Sequence, residues 1–446
     1  MMNKTILTLV LYCSALSTSA QIADSTAWRK VFTDPQLTKL IETALEHNAD
    51  LRTANMNVEQ ADAGLRMARM AILPSLTVGV EGSLSKTKGA GMTKTYSVPL
   101  TSQWEVDLSG HLRGEKRAAL ANYWSIAETE RAVRLQLIAS VATHYYMLVM
   151  MDEQLHVTRQ SINNVRQTVE VMEALKEVGM QNEAAVSQAR AAYLNIAASE
   201  KSLLQQIRTT ENALMVLIGE KHDSICRATW EYTDVCIADT TSFAIETLAD
   251  RPDVKAAEYA LKVQMEQVNV ARAAFYPQLT ISASAGWTNN VGEMVNPGQI
   301  LLNAIGSLVQ PLFNKGRNRA NLRIAKAGQE QALVAFNQSL LVAGSELSDA
   351  LSACQLSRER LNLRHQEAKE AERAYEVSKE VMKNSSNTYL EVLTAQSTLI
   401  QSRLNIITDW LDYIQGKINL FKALGGNIQL YPKYFRKNIC TFAIGI

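Results

Sequence analysis

"ADLRTANMNVEQADAGLRMARMAILPSLTVG" (Ala49–Gly79) and "PDVKAAEYALKVQMEQVNVARAAFYPQLTIS" (Pro252–Ser282) are two copies of one stretch. Asp50 aligns with Asp253 and Pro74 with Pro277, each pair 203 residues apart. Ala54/Ala257, Ala68/Ala271, Arg69/Arg272, Ala71/Ala274, Leu76/Leu279 and Thr77/Thr280 keep the same register. A repeat of this period is too long for a solenoid and reads as a chain of two similar halves. In each copy an Ala- and Arg-rich segment of good helix propensity runs into a proline. Proline disfavours helix for the residue before it and cannot donate into the turn. Alternation of apolar and polar residues follows, the period of a strand. Each copy is therefore a helix, a hinge at Pro74 or Pro277, and a strand.

Proline also marks where long helices can run. None of the eight lies between Pro99 and Pro252, or between Pro311 and Pro432. In the first gap Leu135, Ile138, Ala142, Tyr145 and Val149 follow the 3-4-3-4 spacing of a coiled-coil seam. A helix over about 114–176 would be roughly 95 Å long. Gly179 and the polar "MQNE" interrupt it, and a second helix returns over about 184–218. The second gap repeats the plan, with Leu340, Ala343, Leu347, Ala350 and Cys354 as its seam and "KNSSN" (383–387) as its break. Val186 and Ala189 match Val392 and Ala395 on the returning helices. Each half thus carries a helical hairpin with a polar tip, too long for the core of a compact globule.

Four segments read as strands. Leu76, Val78, Val80 and Leu84 oppose Thr77, Gly79, Glu81 and Ser83. Tyr96, Val98, Leu100, Trp104, Val106 and Leu108 oppose Ser97, Thr101, Gln103, Glu105 and Asp107. Leu279, Ile281, Ala283, Ala285 and Trp287 oppose Thr280, Ser282, Ser284 and Thr288. The fourth, "LLNAIGSLVQPLF" from Leu301, alternates poorly. About ten residues, apolar outside and polar inside, is the cadence of a transmembrane β-barrel strand. A half-buried strand of a soluble sheet alternates in the same way. An export signal and polar faces rich in Ser and Thr, suited to a wet lumen, favour the barrel. Four strands cannot close one, because the smallest have about eight. Open edges are not tolerated in lipid, so several chains must pool their strands, and three would supply twelve.

The export signal is residues 1–20. Lys4 gives a positive start, Ile6–Leu16 a short apolar core, and Thr18 and Ala20 the small residues before cleavage. A lipid-anchored start would use Cys13, but Tyr12 precedes it where a small residue is wanted. No later run reaches the ~18 uninterrupted apolar residues of a membrane helix. Of the cysteines beyond the signal, Cys226 and Cys236 are close enough to pair in an exported chain. Free buried thiols are the commoner outcome. Net charge is +1, which argues against a nucleic-acid partner. The six histidines form no metal-binding spacing, and phosphate-loop and nucleophile-elbow motifs are absent. Glu105 and Asp107 read as wet lumen-facing acids, not as an acid–base couple. The methionines, Met67, Met70, Met147, Met150, Met151 and Met172, read as seam filler. The sequence therefore implies no catalytic residue, cofactor or metal.

"ADLRTANMNVEQADAGLRMARMAILPSLT", "SQWEVDLSGHLRGEKRAA", "LADRPDVKAAEYALKVQMEQVNVARAAFYPQLTISASAGW", "QPLFNKGRNRANLRIAKAGQEQAL" and "TYLEVLTAQSTL" resemble the TolC-like outer membrane factor family, in its NodT subgroup of multidrug efflux outer membrane proteins. The resemblance spans almost all of the chain from Trp28 to about Gly426. It implies a mixed α+β membrane protein: a trimeric 12-stranded outer-membrane β-barrel continuing into a 12-helix periplasmic α-barrel, each chain a two-fold internal repeat. It divides the chain into an N-terminal belt segment (21–48), a first repeat (49–216), a linker and belt (217–251), a second repeat (252–426) and a tail (427–446). The expected function is a passive duct exporting drugs or other small toxic solutes. Protein secretion, metal efflux, or a soluble periplasmic coiled-coil scaffold are the alternatives. The implied partners are two further copies, outer membrane lipid, a periplasmic adaptor and an inner-membrane transporter of the RND type. The adaptor would grip the tips at Val178, Gly179, Met180, Lys383, Asn384, Ser385 and Ser386. Thr77, Glu81, Gln103, Glu105, Asp107, Ser282 and Ser284 would line the lumen. The chain departs from the family at the second tip, where no acid lies between Met382 and Leu390 and Glu391 is the nearest.

Overall fold

The computed structural model describes residues 28–86, 92–220, 225–230, 246–288, 299–384 and 389–426. The expected signal, Cys13, Cys236, Cys440, Ser385, Ser386 and the tail lie outside them. The helices are α1 (Trp28–Val31), α2 (Pro35–His47), α3 (Ala49–Met70), α4 (His111–Glu177), α5 (Glu183–Ile218), α6 (Glu246–Ala249), α7 (Pro252–Ala273), α8 (Arg317–Asn384) and α9 (Tyr389–Ala423). The strands are β1 (Ser75–Val78), β2 (Glu81–Lys86), β3 (Met92–Val106), β4 (Gln278–Thr288) and β5 (Gln299–Val309). No described helix is long and apolar enough to cross a membrane.

The repeat is visible in the element bounds. Helices α3 and α7 begin and end at positions 203 apart. Each frays through a turn, Leu73 N–H donating to the Met70 carbonyl (2.9 Å) and Tyr276 N–H to that of Ala273 (3.0 Å). Pro74 and Pro277 then withhold the next donor, and the chain leaves as a strand. Both hinge turns gain a side-chain donor. Trp104 Nε1 donates to the Ile72 carbonyl at 3.0 Å, and Asn318 Nδ2 to the Ala274 carbonyl at 2.7 Å.

The five described strands form one antiparallel sheet in the order β1–β3–β4–β5, with β2 also on β3. β1 and β2 are one strand interrupted at Gly79 and Val80, since Val78 faces Leu100 and Glu81 faces Ser97 in a single register. Pro99 explains the break: its carbonyl accepts from Gly79 N–H at 3.0 Å, but it has no N–H to return. Gly286 faces Pro99 on the other side. A Cβ there would lie 2.4 Å from the Val98 oxygen and 2.8 Å from Pro99 Cα.

The chain divides into two compact units that cut across the repeats. One comprises 54–130 and 252–340, which hold the whole sheet with its adjoining helix segments. The other comprises 1–53, 131–251 and 341–446, which hold both hairpins and the main core. There most of the expected seams are buried: Ile138, Ala142, Tyr145 and Val149 on α4, and Ala343, Leu347, Ala350 and Cys354 on α8; the first seam residues, Leu135 and Leu340, are half-buried. Phe32, Leu37 and Ile41 of the N-terminal segment and Ile414, Ile418 and Phe421 of α9 complete this core. Burial of each such side chain contributes roughly 1.5–3 kcal/mol. Asn48 joins the first residues to α5, donating to the Leu217 carbonyl (2.9 Å) while capping Leu51 N–H (2.9 Å).

Gly286→Ala should lower the thermal midpoint of the detergent-solubilised protein, at an expected cost of about 1–3 kcal/mol for overpacking. Gly306→Ala, whose Cβ meets nothing within 4 Å, serves as the control and should shift it far less.

Candidate functional site

The sheet register sorts the strand residues onto two faces, because directly paired residues of adjacent strands share a face. One row runs Thr77, Thr101, Ser284, Asn303. The parallel rows on that face carry Gln103 opposite Ser282, Glu105 opposite Thr280, and Glu81 opposite Ser97. Six of the seven residues expected to line a lumen thus stand on one polar face. Hydroxyls tie its strands together: Thr77 Oγ1 donates to the Thr101 carbonyl (3.3 Å) and Ser75 Oγ to that of Gln103 (3.2 Å).

Asp107 differs. It stands one residue past β3, and its carboxylate accepts from the Leu112 and Arg113 backbone N–H groups at 3.3 and 3.0 Å and from Arg113 Nε at 3.0 Å. The side chain is 8% exposed. Its role is to satisfy the free N–H groups at the start of α4.

The opposite face is apolar and bare. Its rows read Leu100, Ala285, Leu302, then Trp104, Ile281, Gly306, then Val98, Trp287, Ile300. Leu76, Val78, Val80, Trp287, Ile300, Leu302 and Leu308 are all more than half exposed. Ile305 and Val309 of β5 fall on the polar face, the physical form of the poor alternation in that segment.

The first hairpin tip is closely specified. Gly179 adopts φ +77°, Gly179 N–H donates to the Lys176 carbonyl (2.9 Å) and Met180 N–H to the Leu175 carbonyl (2.8 Å). This is a left-handed glycine closing a helix. Asn182 then caps α5 by accepting from Ala185 N–H at 2.9 Å. Val178 and Met180 project from the turn, 69% and 57% exposed. Behind it Met172, Val186 and Ala189 form a small core that Leu393 of α9 joins. Lys176–Glu183 and Arg190–Glu173 pair across the hairpin. Both are solvent-exposed, so the core and the caps carry the tip's stability. At the second tip Lys383 and Asn384 end α8. Beside it Ala371, Ala374, Glu391, Thr394, Ala395 and Thr398 line a groove of about 390 Å³.

Two arginine clasps, neither anticipated from the sequence, hold the hairpins. Arg227, in the linker, reaches Asp152 of α4 through Nη2 (2.9 Å) and Nε, and Glu211 of α5 through Nη1 (2.7 Å). Burial alone would lower its pKa, but hydrogen bonds to the two carboxylates raise it. Next to it Ala228 N–H donates to the Tyr145 hydroxyl (2.9 Å), which in turn donates to Asp34. Burial and that donation to Asp34 push the Tyr145 phenol up. Trp230 packs on Trp410 of α9, with ring centroids 4.3 Å apart. Arg251 is buried and pairs with Glu346 of α8 at 2.6 Å. It also donates to the Ala423 carbonyl at the end of α9 at 3.4 Å. No group of His, Cys, Asp and Glu among the described residues is placed to hold a metal ion. Cys226 is exposed and Cys354 buried, and neither is in a disulfide among the described residues.

The family model described as outer membrane efflux protein matches residues 40–220 and 245–426. The toluene efflux pump outer membrane protein TtgF of Pseudomonas putida is 30% identical over 416 residues, covering 91% of this chain and 87% of the relative. The cation efflux system protein CusC of Escherichia coli is 28% identical over 420 residues, covering 93% and 91%. Crystal structures of CusC superpose with a TM-score of 0.85 at 27% identity, over 90% of this chain and 94% of that one. The outer membrane protein VceC of Vibrio cholerae gives 0.82 at 25% identity, over 89% and 98%.

At the tip, Gly179→Ala should cost about 1 kcal/mol from backbone strain alone, because open space surrounds its Cβ position. Asn182→Ala should cost about 0.5–2 kcal/mol. Both should speed hydrogen exchange of amides 172–190 and leave 138–149 protected. Arg227→Met removes the nearer of Glu211's two arginine partners, leaving Arg208 at 3.7 Å, and should lower global stability by about 1–3 kcal/mol, read as a fall in thermal midpoint.

Proposed function

This chain belongs to the outer membrane efflux protein family, and from that premise we propose how it forms its channel. It is an outer membrane efflux channel with a helical periplasmic part. Three copies pool four strands each, the interrupted β1–β2 counting as one, into a twelve-stranded barrel. The bare apolar face meets lipid and the polar face lines the lumen, where Thr77, Glu81, Gln103, Glu105, Ser282 and Ser284 meet the passing solute. The observation that carries this reading is the sheet itself: one face apolar and exposed, and β1–β2 and β5 left as edges. In hydrocarbon those edges must be paired. A second feature supports it. Val342, Leu356, Leu363 and Val377 lie at heptad multiples on α8 and are all exposed in the single chain, a seam suited to a helix of a neighbouring copy.

The helical hairpins then continue the barrel as a twelve-helix periplasmic tunnel. A periplasmic adaptor grips the tips at Val178, Gly179, Met180 and 383–386, and an inner-membrane pump of the RND type supplies the energy. The cargo is drugs or other small toxic solutes, and Pro74 and Pro277 are the hinges between the sheet and its helices. The belt is built from the N-terminal segment, the Arg227 linker and the C-terminal end of α9.

In detergent the protein should run as a threefold assembly; a stable monomer would refute the shared barrel. Ser284→Cys should let a bulky thiol reagent block single-channel current, and Ala285→Cys, on the other face, should not. Loss of the protein should raise sensitivity to several toxic compounds. Unchanged sensitivity together with a missing secreted polypeptide would point to protein secretion.

A further inference from the structure

The chain passes between sheet and helix four times, at 70–75, 106–111, 273–278 and 309–317. The register brings all four passages to one end of the sheet, since Ser75 faces Gln103, Val106 faces Leu279 and Gln278 faces Val309. Two features collect there. Large apolar side chains stand open outside the strands, Leu312 at 92% and Phe313 at 87% exposure above all. Around them are six exposed cations: Arg69, Arg272, Lys315, Arg317, Arg319 and Arg323. None of the six makes an ion pair among the described residues. Of the acids of this region, Asp107 is engaged by Arg113 and Glu266 by Arg117, and Glu105 stands on the polar face of the sheet.

The cations at α8 are placed against their own helix. Its first turn holds no acidic residue, so Lys315, Arg317 and Arg319 face the positive end of the helix dipole uncompensated. Lys315 also holds φ +56°, a backbone region that a glycine or asparagine enters more easily. The matching start of α4 has Asp107 instead. Helix stability does not select this arrangement, whereas an external anion would relieve it.

We propose that this collar docks anionic phospholipid headgroups of the periplasmic leaflet, with Leu312 and Phe313 at the acyl boundary. The proposal rests on the reading that the sheet's apolar face meets lipid. The collar lies at the end of the sheet that carries that face, and its charge complements a phosphate-rich surface. Cationic side chains beside an exposed apolar surface can keep their stems in the apolar layer and their heads at the phosphates.

The test uses the assembled full-length channel in detergent, with phosphatidylglycerol or phosphatidylcholine added. Phosphatidylglycerol should raise the thermal midpoint by about 3 °C or more over phosphatidylcholine. The difference should shrink by more than half in about 0.5 M salt. It should vanish in the combined variant Lys315→Gln, Arg317→Gln, Arg319→Gln, Arg323→Gln and persist in Lys201→Gln, Lys369→Gln. Equal effects of the two lipids, or a preference that survives the fourfold change, overturns the collar. Should the fourfold variant not assemble, Arg69→Gln with Arg272→Gln replaces it, read by native mass spectrometry. Fewer retained phosphatidylglycerol molecules are expected, and an unchanged number overturns the proposal. Wild-type protein that conducts in planar bilayers yet shows no lipid preference sinks the collar alone. Protein that neither inserts nor conducts sinks the barrel reading beneath it.

Discussion

Leu76, Val78, Leu302 and Leu308 sit exposed on one sheet face, and among the described residues the two outer strands of that sheet have unused hydrogen-bonding sides. In water, such a surface would be covered by a helix or broken by charges. In hydrocarbon the apolar face is in place, but an unpaired peptide group costs several kcal/mol. A strand edge carries many such groups, so their combined cost far exceeds what any single side-chain contact can return. The proposed pooling of strands between copies would remove that cost. Other features serve the pairing within the sheet. Pro99 is tolerated because Gly286 lets β4 approach the backbone beside it, and Gly79 absorbs the missing donor.

The compact units follow from the same geometry. An exposed sheet and a long helical hairpin do not share a core here, and each repeat is divided between a sheet-bearing unit and a helical unit with the main hydrophobic core. Helix α4, 67 residues long, spans roughly 100 Å. Its residues 111–130 belong to the first unit and 131–177 to the second. Such a helix needs lateral ties. Arg227 supplies one by joining α4 to α5, and Arg251 another by joining α8 to the end of α9. A duct works by shape and partner contact, which suits buried polar groups engaged in clasps and caps.

The parts of this fold set by local period were legible in the sequence. The repeat offset reappears in both bounds of α3 and α7, the proline-free gaps became the long helices, and the 3-4 seams became the core. Strand parity put Gln103 and Ser282 on the polar faces of their own strands, and the register pairs them. Long-range geometry was not legible. Tyr145 and Asp34 are 111 positions apart, Arg227 and Asp152 75 apart, and no periodicity links them. Asp107 kept the parity of a lumen residue, but β3 ends one residue before it, so the helix start claimed its carboxylate. The soluble scaffold that the long helices alone would have allowed is set aside by the family match.

The two repeats are most alike where the chain constrains itself and least alike where it ends against something else. The proline hinges superimpose in sequence, because the helix-to-strand turn poses one problem with one economical solution. The entries into α4 and α8 pose another shared problem, free N–H groups at a helix start, and are flanked by opposite charges. Asp107 follows β3, an interior strand whose both sides are occupied by the chain's own β1–β2 and β4, and it turns a carboxylate inward to the helix. Lys315 and Arg317 follow β5, the strand with an open side, and leave their cations unpaired among the described residues. The backbone need is common to both sites. The divergence therefore reflects their surroundings: interior charge is balanced within the chain, and edge charge is left for whatever lies beyond it.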